Sequence, residues 1–183
     1  RIAVQIPKSP EALAVYAAAA QAGVIFLPLN TAYTADEVAY FVGNSGAKLL
    51  LCASEAEAAL MPVAEAHGAR LMTLNGDGTG SFVMTAETHA PDFPPVDRDE
   101  DDLAAFLYTS GTTGRSKGAM LTQANLLSNA EVLAEHWRFT DADVLLHALP
   151  IFHTHGLFVA TNICLLAGAP MILLPRFDAD QVI

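Results

Sequence analysis

The feature that most constrains the fold is an alternation of short apolar runs with helix-like segments along the whole chain. The apolar runs have the length of buried strands and lie at 24–27, 48–52, 70–74, 103–108, 144–149 and 171–174. Strands that alternate with helices form parallel sheets that helices cover on both faces. We therefore predict an α/β fold with parallel sheets flanked by helices.

Capping residues define two of the predicted helices. Ser9 followed by Pro10 is typical of a helix start, and Gly23 is expected to end that helix. Thr34 and Glu37 have the spacing of a capping box, which predicts a second helix at this point.

Composition divides the chain into three parts. Residues 1–74 form a first α/β layer, and residues 103–183 form a second α/β segment. Between them, residues 75–102 combine Gly-rich turns, three prolines and a run of acids, which predicts a solvated connector. Because the chain begins at Arg1 rather than Met, we expect it to be part of a longer protein.

Charge excludes one class of partner. Nine Lys and Arg against twenty Asp and Glu give a net charge of −11, so nucleic acid is not an expected ligand. The only lysines are Lys8, Lys48 and Lys117, and a phosphate site would therefore depend mainly on backbone N–H groups.

The hydrophobic share is 52% and the charged share 16%, which excludes a disordered chain. Residues 12–35 and 144–175 lack charge, but prolines and glycines interrupt both, so we expect no membrane span. Cys52 and Cys164 lie in apolar runs and are expected to be buried thiols. Free thiols favour the cytoplasm, and an organelle matrix would have the same signature.

The sequence YTSGTTGRSKG, residues 108–118, directly follows a predicted strand. Its glycines allow successive N–H groups to face one concavity that suits phosphate oxygens, and Lys117 adds a positive charge. It is not a Walker motif, because Ser116 occupies the position of the second glycine and Gly118 follows the lysine. The residues alone also allow a surface loop whose hydroxyls have no ligand.

This motif resembles the phosphate-binding signature of the adenylate-forming superfamily, which includes acyl-CoA synthetases, peptide-synthetase adenylation domains and luciferases. Ser116 replaces the proline that the family usually has before the lysine. Segments 22–30, 118–125 and 149–156 are similar to family segments as well. The resemblance implies that the chain is part of the large N-terminal domain, with the small C-terminal domain outside it.

The resemblance also implies roles for individual residues. ATP phosphates would be held by Thr109, Ser110, Gly111, Thr112, Thr113, Gly114 and Lys117. Lys117, Thr109 and His153 would be catalytic, and Thr109 would share the binding of Mg²⁺. His153 and His155 would bind the acid substrate.

The two histidines allow other interpretations. A His-x-His pair can ligate zinc, but a zinc site needs a third ligand and no acid lies near the pair in sequence. They could also be hydrogen-bonded structural residues. The form His153-Thr-His-Gly-Leu-Phe is similar to malonyl-CoA synthetases, which favours a small dicarboxylic acid as substrate.

The activity implied by the resemblance is that of a ligase in fatty-acid metabolism, which forms an acyl-adenylate from ATP and then a coenzyme A thioester. An enzyme that adenylates aryl, fatty or amino acids is one alternative, and a non-catalytic remnant that acts as a binding or assembly module is another. The adenine-binding segment and C-terminal lysine of the family lie outside these residues, so we expect residues 1–183 alone to be inactive. An apolar face would meet either the missing domain or a second copy in a homo-oligomer. Trp137 and the Phe residues are not interleaved with basic residues in the way typical of base-stacking surfaces, so they are expected in the core.

Overall fold

The computed structural model describes residues 1–109 and 116–183. Its strands are β1 (Ile2–Gln5), β2 (Phe26–Pro28), β3 (Leu49–Cys52), β4 (Arg70–Thr73), β5 (Leu103–Thr109), β6 (Lys117–Thr122), β7 (Leu145–His147) and β8 (Met171–Leu173). Its α-helices are α1 (Pro10–Gln21), α2 (Ala35–Ser45), α3 (Glu57–Ala66), α4 (Ser81–Ala86), α5 (Gln123–Trp137), α6 (Asn162–Ala167) and α7 (Ala179–Val182). A 3-10 turn, Ser54–Ala56, precedes α3, and a π-helix, His155–Thr161, precedes α6.

The strands form two sheets. The larger sheet has the order β4-β3-β1-β2-β5-β6, and the smaller sheet pairs β7 with β8. Every neighbouring pair is parallel except β5 and β6. The predicted α/β class is confirmed. One edge of the larger sheet adds a detail that the sequence did not predict: β6, whose first two residues were expected in a Gly-rich loop, pairs with β5 in the antiparallel direction.

The larger sheet is buried on both faces because its side chains alternate between two apolar layers. In β1, Ala3 packs in the layer that contains α2 and α3, and Val4 packs in the layer that contains α1 and the π-helix. In β3, Leu50 and Leu51 divide in the same way. Helices therefore cover both faces, as the alternation of elements predicts.

Both predicted helix starts are confirmed. The Ser9 hydroxyl accepts from the N–H of Ala12 at 3.1 Å. The Thr34 hydroxyl accepts from the N–H of Glu37, whose carboxylate accepts from the N–H of Thr34 at 2.8 Å. These caps satisfy backbone donors at the helix N-terminus and determine where α1 and α2 begin.

Two regions differ from the sequence-based expectations. Residues 75–102 are not only a solvated connector, because they contain the short helix α4. Its Phe82 and Val83 pack against the apolar layer under α1. Trp137 is 57% exposed at the last turn of α5, so the expectation that it lies in the core was wrong.

Cys52 and Cys164 are free and buried, as expected. Within the described ranges, the model contains no helix long and apolar enough to span a bilayer.

Candidate active site

A pocket of about 310 Å³ opens at the carboxyl ends of β2 and β5, beside the loop that follows β7. In open α/β sheets, ligands bind at this edge. The pocket is lined by Pro28, Leu29, Asn30, Tyr33, Leu107, Tyr108, Thr109, Phe152, His153 and Thr154. The pocket therefore brings Thr109, which is predicted to bind phosphate, together with His153, which is predicted to bind the acid substrate.

Thr109 is the last residue of β5, and Lys117 is the first residue of β6 directly opposite it in the antiparallel ladder. Both residues are exposed at the rim of the sheet. The strand pairing fixes a hydroxyl and an ammonium stem at the same edge. A phosphate group can thus meet a neutral donor and a cation together.

The remaining predicted phosphate ligands lie outside the described residues. These residues are Ser110, Gly111, Thr112, Thr113 and Gly114. The sites predicted for them stay predictions.

Helix α2 contacts both strand ends that flank these residues. The Tyr40 hydroxyl donates to the carbonyl of Ser116 at 2.9 Å, and the Tyr108 hydroxyl donates to the Asn44 side-chain oxygen at 2.5 Å. Tyr40 and Asn44 lie one helical turn apart and therefore share a face of α2. Neither was identified from the sequence, where aromatic and amide residues inside a helix carry no signal of this kind.

His153 lines the same pocket as the β2 loop. Its ring lies 4.6 Å, centroid to centroid, from the ring of Phe152. The Leu157 N–H donates to the His153 carbonyl at 3.0 Å. The side chain is exposed, so it is available to a ligand.

His155 lies elsewhere. It lines an apolar pocket of about 250 Å³ together with Trp137 and Cys164, and it does not line the pocket that contains Thr109. Of the two histidines, only His153 lines the pocket that contains Thr109.

Gln5 orders the wall of the pocket formed by the β2 loop. This buried side chain, at the end of β1, donates to the carbonyl of Asn30 at 2.9 Å and to the carbonyl of Tyr33 at 3.0 Å. The sequence signal for it was weak but present, because Gln5 is the polar residue at the end of an apolar strand.

The loop that carries His153 is fixed by a buried histidine. His147 Nε2 lies 2.8 Å from the carbonyl oxygen of Gly156, which also accepts from the Thr161 hydroxyl at 3.0 Å. His147 Nδ1 is buried without a hydrogen-bond partner among the described residues. Burial, with a smaller contribution from the charge of Lys8, lowers the pKa of His147. The ring is therefore neutral, with Nε2 as donor to Gly156.

The pocket suits anionic ligands. None of its described lining residues is acidic, although the chain carries a net charge of −11. Burial raises the pKa of Tyr33 and of Tyr108, with nearby Glu37 and Tyr40 respectively adding to the effect. Both phenols thus remain neutral, and a carboxylate or phosphate that enters the pocket meets no acidic side chain among its described lining residues.

The described residues contain no cluster of three or more His, Cys, Asp or Glu that could hold a metal ion. A zinc site at His153 and His155 is not formed by this part of the chain.

The family model described as "AMP-binding enzyme" matches residues 1–183. Among curated relatives, the mitochondrial malonate–CoA ligase ACSF3 of Mus musculus is 35% identical over 162 residues, which cover 87% of this chain and 27% of that protein. The oxalate–CoA ligase of Arabidopsis thaliana is 32% identical over 176 residues, which cover 94% of this chain and 34% of that protein.

Among solved structures, ATP-bound MatB from Rhodopseudomonas palustris superimposes with a TM-score of 0.96 at 51% identity. The match covers 100% of this chain and 36% of that one. The chain thus spans about a third of the length of the relatives it matches.

Proposed function

The chain belongs to the family of AMP-binding enzymes, and from this membership we propose that the protein is an ATP-dependent acid–CoA ligase that acts on malonate or a similar small dicarboxylic acid. The observation that carries the proposal is the shared pocket of Thr109 and His153, with Lys117 paired opposite Thr109.

The reaction has two steps. A carboxylate oxygen of the acid attacks the α-phosphorus of ATP, the bond from that phosphorus to the bridging oxygen breaks, and pyrophosphate leaves. The sulfur of coenzyme A then attacks the acyl carbon, the bond from that carbon to the AMP oxygen breaks, and the thiol proton passes to solvent. The products are an acyl-CoA thioester, AMP and pyrophosphate.

We assign the phosphate side of this chemistry to Thr109 and Lys117, together with Ser110 to Gly114. The Lys117 ammonium offsets the negative charge that develops on pyrophosphate as it departs, and the Thr109 hydroxyl donates to a phosphate oxygen. Because both groups are fixed by one strand pair, little reorganisation is needed when the charge moves. Mg²⁺, held by the phosphates of ATP with Thr109 as a protein ligand, would supply further charge neutralisation.

We assign the acid side to His153. Its exposed ring lies in the same pocket as Thr109, so it can donate a hydrogen bond to a carboxylate that approaches the α-phosphate. A carboxylate left unpaired against Leu29, Leu107 and Phe152 would be costly, which is why a donor is needed there. The role of His155 in substrate binding stays a weaker proposal, since its pocket is separate.

The malonate assignment is supported by the His-Thr-His-Gly segment and by the names of two relatives, which are ligases of malonate and of oxalate. Both of those acids are short dicarboxylates. The described pocket, at about 310 Å³, is large enough for such an acid.

The test is pyrophosphate release by the full-length protein with ATP, Mg²⁺ and coenzyme A. The acid panel contains malonate, methylmalonate, acetate, an aryl acid and amino acids. We expect malonate to be preferred, and we expect Lys117→Ala to lower kcat/KM at least about tenfold. Lys48→Ala is the matched control, because Lys48 lies before β3 at the opposite end of the sheet and should retain activity.

A preference for an aryl or amino acid would retain the adenylation chemistry and overturn the malonate assignment. No pyrophosphate release with any acid would overturn the ligase proposal in favour of a non-catalytic module.

A further inference from the structure

Lys8 joins the two sheets beside the candidate site. It lies in the loop between β1 and α1, and its ammonium donates to the main-chain carbonyls of His147 and Leu149. The distance from Nζ to the Leu149 oxygen is 2.8 Å, although 141 residues separate the two positions. A side chain next to the larger sheet thus holds the end of β7 in the smaller one.

The carbonyls that Lys8 binds are at the point where β7 ends. The His147 carbonyl also accepts from the N–H of Leu174, which follows β8, at 3.1 Å. Pro150 comes directly after Leu149 and has no N–H to offer a neighbouring strand. Without Lys8, the carbonyls of His147 and Leu149 would each lose a hydrogen bond, and the chain beyond His147 would be held less firmly.

Apolar contacts hold Ile151, which lies two residues after Leu149 in the same loop. Ile151 is 9% exposed and belongs to the same apolar layer as Ile6, two residues before Lys8. The segment from Leu149 to His153 therefore has a polar attachment at one position and an apolar attachment two residues later. Both attachments are made to the loop that directly follows β1.

Lys8 is partly withdrawn from water. Burial lowers the pKa of Lys8 to about 8, and the two carbonyl oxygens compensate the ammonium for the water it has lost. Lys8 does not line the pocket of Thr109 and His153, so we assign it a positional role.

We propose that Lys8 is a positioning residue for the acid substrate, which fixes the end of β7 so that His153 stays in the pocket that Thr109 also lines. The proposal rests on the proposed ligase function for its kinetic consequence. The restraint on the loop follows from the two hydrogen bonds alone.

The test compares Lys8→Met with Lys48→Met in the full-length protein. Methionine removes the donor and keeps an unbranched side chain, and Lys48 is exposed at the far end of the sheet. We expect Lys8→Met to raise the KM for malonate about tenfold, the effect of losing one net charge-assisted bond, while the KM for ATP stays within about twofold. Hydrogen exchange of the amides at 151–157 should become faster in Lys8→Met and stay unchanged in Lys48→Met.

The two readouts separate the proposal from the function on which it rests. Unchanged exchange at 151–157 in Lys8→Met would overturn the positioning role. Equal rises in the KM for malonate and the KM for ATP would also overturn it, because they would indicate general loosening. Faster exchange in a protein that releases no pyrophosphate with any acid would support the restraint and overturn the ligase function.

Lys8→Arg protects the test against a variant that does not fold. Arginine keeps several donors but places them differently, so the rise in the KM for malonate should be smaller than in Lys8→Met, with the KM for ATP again unchanged. If Lys8→Arg lowered the melting temperature and raised the KM for malonate and the KM for ATP by the same factor, the proposal would be contradicted.

Discussion

The hydroxyl of Tyr40 donates a hydrogen bond to the main-chain carbonyl of Ser116 over 2.9 Å, although 76 residues separate the two positions. Ser116 directly precedes Lys117, so helix α2 sets the position at which β6 begins. The lysine proposed to meet the phosphates of ATP is thus placed by a helix outside the Gly-rich motif.

Tyr40→Phe should therefore weaken ATP binding. The variant removes only the hydroxyl and leaves the Ser116 carbonyl without this partner, which costs about 1 kcal/mol and corresponds to a rise of about fivefold in the KM for ATP. The measurement is the KM for ATP and for malonate in the full-length protein. Tyr16→Phe is the control, because the Tyr16 hydroxyl bonds Asn162 away from the pocket, and a similar effect on the KM for ATP there would contradict the prediction.

Folding stability should fall on acidification because of His147. Burial lowers its pKa from the ordinary value of 6.5, so below that pH the unfolded chain binds a proton that the folded chain does not. The free energy of unfolding therefore decreases as the pH falls through this range.

The measurement is the melting temperature from about pH 7.5 to about pH 5.5 for wild type and His147→Gln. The variant should show a shallower dependence, even if its melting temperature is lower throughout. His136→Gln, at an exposed position near the end of α5, should keep the wild-type slope. Equal slopes in all three proteins would refute the assignment to His147.

Gly156→Ala should destabilise the protein strongly. A Cβ at Gly156 would lie 2.1 Å from the carbonyl oxygen of Pro150, and the Gly156 carbonyl is the acceptor for His147 and Thr161. We expect a loss of about 3 kcal/mol in urea unfolding.

Gly168→Ala is the matched comparison. Gly168 has a φ of 71°, and no atom lies within 4 Å of the added Cβ, so only the left-handed backbone is strained. Its cost should be about 1 kcal/mol. A larger loss for Gly168→Ala than for Gly156→Ala would show that the close contact with Pro150 relaxes easily.

Local patterns predicted the elements whose causes are local. The caps at Ser9 and Thr34 form as expected because each is made by residues three positions apart. The apolar runs became strands within one or a few residues of their expected bounds. In the larger sheet, the side chains of these strands are buried in apolar layers on both faces.

Strand β6 could not be predicted in the same way. Its residues, Lys117–Thr122, include Gly and Ala, which have low strand propensity. They become a strand because β5 extends to Thr109 and supplies a hydrogen-bonding edge. The register that places Lys117 opposite Thr109 is therefore a tertiary property.

The π-helix at His155–Thr161 also depends on tertiary contacts. Its apolar residues predict a helix but not the wider turn, which accompanies the contacts of Gly156 with His147 and Pro150. His155 begins this helix and His153 precedes it, and these two residues, which the sequence placed in one site, line different pockets. Lys8 likewise had no local signal beyond its being one of three lysines, because its acceptors lie far along the chain.

The sheet order has a consequence for the sequence of events in folding. Strands β1 to β4 pair over at most about 50 residues, whereas β2 and β5 meet through Phe26 and Ala105, about 80 residues apart. A chain that emerges from the ribosome N-terminus first can complete the four-strand portion before β5 exists. The edge that carries Thr109 and Lys117 is then added to a finished four-strand template, so a nascent chain presents this edge only after the rest of the sheet has had the chance to form.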